Sequence, residues 1–251
     1  MKGCYPRRAW PSRCDNLSNT EPERIQRHNR AVRLAHGANA VAMIVLIATG
    51  LALGDDISPV LVAALGGHAV ANEMHRLGGM AFAVALLLAA GLFHSPTRGL
   101  VRDLVYFRQE ERRWPQAFLK CILSPAHGHT AFHNGRFDPA QRLILLLLLC
   151  STALVAATGV YLYILPAAPQ WVFLVAIRIH IYGAWIAIIA LCLHAFAGLG
   201  VLHTHCGLLG AMFGDGTVPI QTARTLWPGW TQNKLHDLEG DSHGPPSHTP
   251  S

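Results

Sequence analysis

Four stretches of this chain are long and apolar enough to cross a bilayer: residues 34–54, 70–93, 143–165 and 171–202. A helix needs about 20 apolar residues, at about 1.5 Å of rise each, to span the hydrocarbon layer. A soluble helical domain has no use for four such runs, so the sequence predicts an all-α membrane protein, a four-transmembrane-helix bundle. Composition agrees, since 51% of the 251 residues are hydrophobic and only 14% are charged.

Lys and Arg collect in the segments expected to stay on the cytoplasmic side. Arg24, Arg27, Arg30 and Arg33 precede the first run, and the loop 94–142 carries Arg98, Arg102, Arg108, Arg112, Arg113, Lys120, Arg136 and Arg142. The other two connections, from GDDISPVL onward and PAAPQ, contain no Lys or Arg. Both termini and the loop 94–142 are therefore expected in the cytoplasm. The predicted organisation is a cytoplasmic extension over 1–32, a transmembrane domain over 33–230 and a disordered tail over 231–251. The extension has no apolar core of signal-peptide length, which leaves targeting to the first span.

Other classes are argued against. The formal charge of +6 lies in segments flanking the spans, without a basic, aromatic-rich module, so no nucleic-acid partner is expected. The six cysteines form no C-x-x-C or C-x-x-C-H, so neither a disulfide framework, a zinc knuckle nor covalent c-type haem attachment is indicated. Cys150 and Cys192 read as small core residues.

Chemistry enters with four histidines at membrane depth, where ionisable groups are costly and mark function by default. In the predicted topology His36 and His194 lie near the cytoplasmic face, and His75 and His180 near the outer face. His180 and His194 are fourteen residues apart, about 40° short of four full turns and about 21 Å along one helix. One helix face can thus serve two sites stacked across the membrane. Two neutral imidazoles from different helices facing across an apolar gap suit a haem iron with bis-histidine ligation, whereas zinc normally takes four ligands. The alternative for any one of them is a packing histidine bonded to a neighbouring carbonyl.

Small residues follow the histidines: Gly37 and Ala40, Gly78 and Gly79, Gly183 and Ala184, Gly198, with Gly50 fourteen residues after His36 and Ala89 fourteen after His75. They would leave room for a wide planar group, or simply let helices approach. Arg33, Arg76 and Arg178 suit haem propionates, or interfacial snorkelling. HGHTAFH (His127, His129, His133) and HTHC (His203, Thr204, His205, Cys206) read as solvated loop histidines, with proton supply as one use.

RLAHGANAVAMIVLIATGLALG, MHRLGGMAFAV and RIHIYGAWIAIIALCLHAFAGL resemble the first, second and fourth spans of the cytochrome b (gamma) subunit of membrane-bound formate dehydrogenases. The wider group includes the cytochrome b subunits of nickel-iron hydrogenase and thiosulfate reductase. GAMFGDGTV followed by LWPGW resembles the tail of the formate dehydrogenase branch, and the likeness runs from about Arg33 to Trp230. It implies two haem b groups, one on His36 and His194, the other on His75 and His180, and a bacterial inner membrane location. It also implies an outer-face iron-sulfur subunit with its catalytic dehydrogenase subunit as electron donors, and quinone as substrate on the cytoplasmic side. FDPAQR matches a quinone-site stretch of that family, Asn-Ala-Gly-Gln-Lys: Gln141 is kept, Arg142 replaces Lys, and Asp138, Pro139 and Ala140 replace the first three. Asp138 is also suited to capping the third span. A hydrogenase or thiosulfate reductase partner is the near alternative, and a transporter using the histidines as a polar pathway the distant one.

Overall fold

The computed structural model describes residues 23–54, 59–106, 136–164, 169–200 and 205–242. Helix α1 (Arg30–Leu51) starts where the Asn29 side chain accepts from the Val32 N–H at 2.9 Å. The short α2 (Pro59–Ala64) leads into α3 (His68–Leu92), which is followed directly by α4 (His94–Val105). Helix α5 (Pro139–Ile164) has proline at its first position, where the missing N–H costs nothing. Asp138 accepts from the Ala140 N–H at 2.9 Å and closes that end. Helix α6 (Gln170–Gly198) is the longest of the described elements.

Helices α1, α3, α5 and α6 are each long and apolar enough to cross a membrane. Consecutive members pack together, α1 on α3, α3 on α5 and, most extensively, α5 on α6. Their packing is inverted relative to a soluble bundle. The buried positions hold small residues such as Ala71, Ala83, Gly183, Ala187 and Ala190, while Leu87, Leu92, Val41, Leu147, Trp171 and Ile189 face outward. In lipid that arrangement is favourable, because large apolar side chains gain nothing by hiding from hydrocarbon and small ones let backbones approach. Cys150 and Cys192 also lie on the outer surface as free thiols. They are not core residues as the sequence suggested, since an apolar side chain in a membrane helix carries no inward preference.

The large-residue core sits instead in a cap at one end of the bundle. Strand β1 (Arg24–Gln26) pairs antiparallel with β2 (Thr217–Pro219), Ile25 opposite Val218. Around this ribbon fold α7 (Leu208–Phe213), α8 (Ile220–Leu226) and α9 (Pro228–Ser242). Ile25, Val218, Ile220, Ala223, Leu226 and Trp227 form the cluster, with Trp230 and Leu235 against it. Residues 24–29, within the expected extension 1–32, are stitched into the cap. The helix through 242 replaces a disordered tail from 231, since Pro228 starts it and its apolar side chains have the cap to pack on.

A GDG turn makes that stitch. Gly216 (φ +90°) has a carbonyl that accepts from the N–H groups of Arg27 at 2.9 Å and His28 at 3.1 Å, and a Cβ there would collide with the His28 carbonyl. The Asp215 carboxylate accepts from the Thr217 N–H and hydroxyl and lies 3.8 Å from the Arg24 guanidinium. These partners hold the Asp215 pKa below its ordinary value. Cys206, just before α7, is disulfide-bonded, a link the spacing of the cysteines did not signal.

Candidate metal centres

The four membrane histidines meet as two pairs. At the cap end, His36 of α1 faces His194 of α6 with ring centroids 6.1 Å apart; at the far end, His75 of α3 faces His180 of α6, again at 6.1 Å. With metal–imidazole bonds of about 2 Å, two rings bound to one ion from opposite sides hold their centroids about 6 Å apart. Both pairs thus leave room for one metal ion. Among the described residues no group of three or more His, Cys, Asp or Glu could hold a metal. Two facing imidazoles suit an ion whose remaining ligands come from a bound group, as an iron in a porphyrin has them.

The far-end pair is held from behind. The Thr49 hydroxyl donates to the Val45 carbonyl at 2.7 Å, so its lone pairs are left to accept from His75 Nδ1–H at 3.1 Å; the Leu46 carbonyl accepts from the same N–H at 3.1 Å. A carbonyl can only accept, which puts the proton on Nδ1 and leaves Nε2 with a free lone pair. The second helix pair repeats the device. The Thr158 hydroxyl donates to the Leu154 carbonyl at 2.8 Å and lies 3.1 Å from His180 Nδ1, from whose N–H the Val155 carbonyl also accepts. In each case the next residue is glycine. A Cβ on Gly50 would stand 2.8 Å from His75 Cε1, and one on Gly159 3.1 Å from His180 Cε1. The same tripeptide, Ala-Thr-Gly, occurs at 48–50 and 157–159. Sequence reasoning marked Gly50 but missed Thr49, Thr158 and Gly159, and that repeat was the available signal.

The cap-end pair is held differently. His36 Nδ1 is buried and has no hydrogen-bond partner among the described residues. The Phe213 ring from α7 meets the His36 ring edge to face at 5.6 Å. A Cβ on Gly37 or Gly198, beside the two histidines, would meet nothing within 4 Å. That open space suits a wide planar ligand. Gly78 and Gly183 instead serve helix packing, since a Cβ there would come within 3.4 Å of Leu46 and 3.0 Å of Val155.

The charged residues singled out in the sequence separate. Arg33 lies one turn before His36 with Nε buried and without a partner among the described residues, a donor that an anionic group would satisfy. Arg76 is exposed, 3.8 Å from Glu73 and over the Tyr163 ring at 5.0 Å. Arg178 is exposed two residues before His180, about 200° round the helix and so on another face. Gln141 accepts from Trp227 Nε1–H at 3.3 Å, and the buried Arg142 donates to the Tyr106 carbonyl. FDPAQR and LWPGW are thereby tied together in the cap. His127, His129, His133, His203 and Thr204 lie outside the described residues. Burial lowers the His205 pKa, opposed by the charge of Asp138.

Above the cap-end pair lies a group of cations. The Arg27 guanidinium lies over both the Trp227 and the Trp230 ring, 3.9 Å and 4.2 Å from their centroids, in the corner the two perpendicular rings make, and donates to the Arg136 carbonyl at 2.6 Å. Burial and neighbouring Arg136 pull its pKa down to about 9. Burial, then Arg27, Arg136 and His36, pull His28 down to about 4.

A sequence model of the prokaryotic cytochrome b561 family matches residues 27–215. No curated protein matches the chain.

Proposed function

From its membership of the prokaryotic cytochrome b561 family, which makes this chain a multi-pass membrane cytochrome of the b type that works in electron transfer, we propose a finer reading. It is the di-haem subunit that anchors an outer-face oxidoreductase to a bacterial inner membrane and passes its electrons to quinone. The observation that carries this is the pair of 6.1 Å histidine couples mounted on one helix, α6, at opposite ends of the bundle. His36 and His194 hold one haem b, and His75 and His180 the other. Bound haem supplies one-electron redox chemistry.

The chain's own residues do the rest. Thr49 and Thr158 keep the far-end imidazoles in the ligating tautomer. Arg33, with its buried Nε, answers a propionate at the cap end. The loop charges support a cap that faces the cytoplasm, where Asp138, Gln141 and Arg142 line the approach for quinone and its protons. The far end then meets the iron-sulfur subunit of the donor.

The resemblance of GAMFGDGTV and LWPGW favours a formate dehydrogenase as that donor, with a nickel-iron hydrogenase or thiosulfate reductase as alternatives. A transporter's polar pathway is disfavoured by histidines that meet two by two, with about 21 Å along α6 between the couples. The test is to purify the tagged chain with its native partners and add formate or hydrogen. Formate should reduce a b-type cytochrome and then a quinone analogue, with iron-sulfur and dehydrogenase subunits co-purifying. Reduction by hydrogen alone would assign the chain to a hydrogenase, and a colourless preparation would overturn the haem reading.

A further inference from the structure

The two histidine couples differ in what stands behind them, and the difference has an electrochemical consequence. Both far-end rings donate Nδ1–H to a threonine hydroxyl, His75 to Thr49 and His180 to Thr158, each at 3.1 Å. Each also has a backbone carbonyl as acceptor, Leu46 for His75 and Val155 for His180. At the cap end His36 Nδ1 is buried with no hydrogen-bond partner among the described residues. An imidazole whose N–H is engaged carries more negative charge on its other nitrogen and is the stronger donor to a metal. Stronger donation favours the more oxidised, more positive ion, and hydrogen bonding behind the ligand is one of the levers by which a protein sets an iron's potential.

We propose that Thr49 and Thr158 are positioning residues that make the far-end site the lower-potential of the two, so that electrons run downhill from the far end to the cap end. This rests on the di-haem reading above. The hydroxyls suit the task. Each is itself anchored to its own helix, Thr49 through Val45 and Thr158 through Leu154, so its acceptor lone pairs have one aim. The following glycine, Gly50 or Gly159, lets the ring come close enough to use it. The direction of flow is thus written into helices α1 and α5, which carry the threonines, rather than into the helices α3 and α6 that carry the far-end ligands.

The test is a potentiometric titration of the purified cytochrome, followed by its optical spectrum, in the starting protein and in T49V, T158V, T49S and T158S. Two reduction waves are expected. Thr49→Val and Thr158→Val should each move the lower wave to more positive potential and leave the upper one in place, with the double change moving it further. Thr49→Ser and Thr158→Ser, which keep the hydroxyl, should restore the original value. To assign the waves, His75→Ala should remove the lower and His36→Ala the upper. Waves that do not move in the valine variants, that move together, or that carry the opposite assignment would overturn the proposal while leaving two haems in place. Absence of haem from the starting protein would instead overturn the reading on which it rests.

Discussion

Gly50 sits directly under the His75 ring: a Cβ at that position would come within 2.8 Å of Cε1 and 3.3 Å of Nδ1. The ring has little freedom to retreat, because Thr49 and the Leu46 carbonyl both hold its Nδ1–H. A residue on the first span thus decides whether a histidine on the second can occupy its place.

Gly50→Ala should therefore deplete the far-end haem, taking the haem content from two towards one per chain. Gly159→Ala, whose Cβ would lie 3.1 Å from His180 Cε1, should act in the same direction but less. Haem stoichiometry on purified protein reads both. A Gly50→Ala chain with full haem content would show that the ring is not pinned.

The Arg27 guanidinium over Trp227 and Trp230 joins the N-terminal segment to the last helices. Removing a cation from two desolvated ring faces should cost the cap about 2 kcal/mol. Arg27→Ala is expected to lower the midpoint of cap unfolding in detergent, followed by tryptophan fluorescence, while Arg27→Lys retains part of the stability. An unchanged midpoint in Arg27→Ala would count against that contact.

His28 gives the cap a pH dependence of known sign. Its pKa falls from 6.5 to about 4, first by burial and then by the cations Arg27 and Arg136 and by His36. Between those two values the unfolded chain binds a proton that the folded cap refuses, so stability rises with pH across that window and is lost as pH drops from 6.5 towards 4. His28→Asn should flatten the dependence, read as the cap's unfolding midpoint against pH. An equally steep loss in the variant would place its origin elsewhere.

The bundle was legible because apolar run length is a strong signal and the loop charges are one-sided. Depth alone sorted the histidines into His36 with His194 and His75 with His180, since the 3.6-residue period fixes both face and height on a helix. The cap was not legible. Its ribbon joins Ile25 to Val218, and no local pattern in RIQ or TVP announces a partner that distant. The composition of the tail hid α9, whose stability comes from docking Trp230 and Leu235 rather than from its own propensity. Thr49 and Thr158 escaped notice because a threonine in a membrane helix ordinarily bonds back to its own backbone, as both of these do. Only the facing ring shows that the remaining lone pairs are in use. Cys150 and Cys192 misled for a simpler reason: in a lipid-facing bundle, apolar character does not separate inside from outside.

The central claim is two haems sharing α6, and the most direct measurement is haem content with reduced-minus-oxidised spectra for the starting chain, His180→Ala and His194→Ala. The account predicts two b-type haems per chain, one remaining in each variant, and different spectra and potentials for the two that remain. Loss of both haems from either single change in a folded protein, or the same haem surviving in both variants, would contradict it.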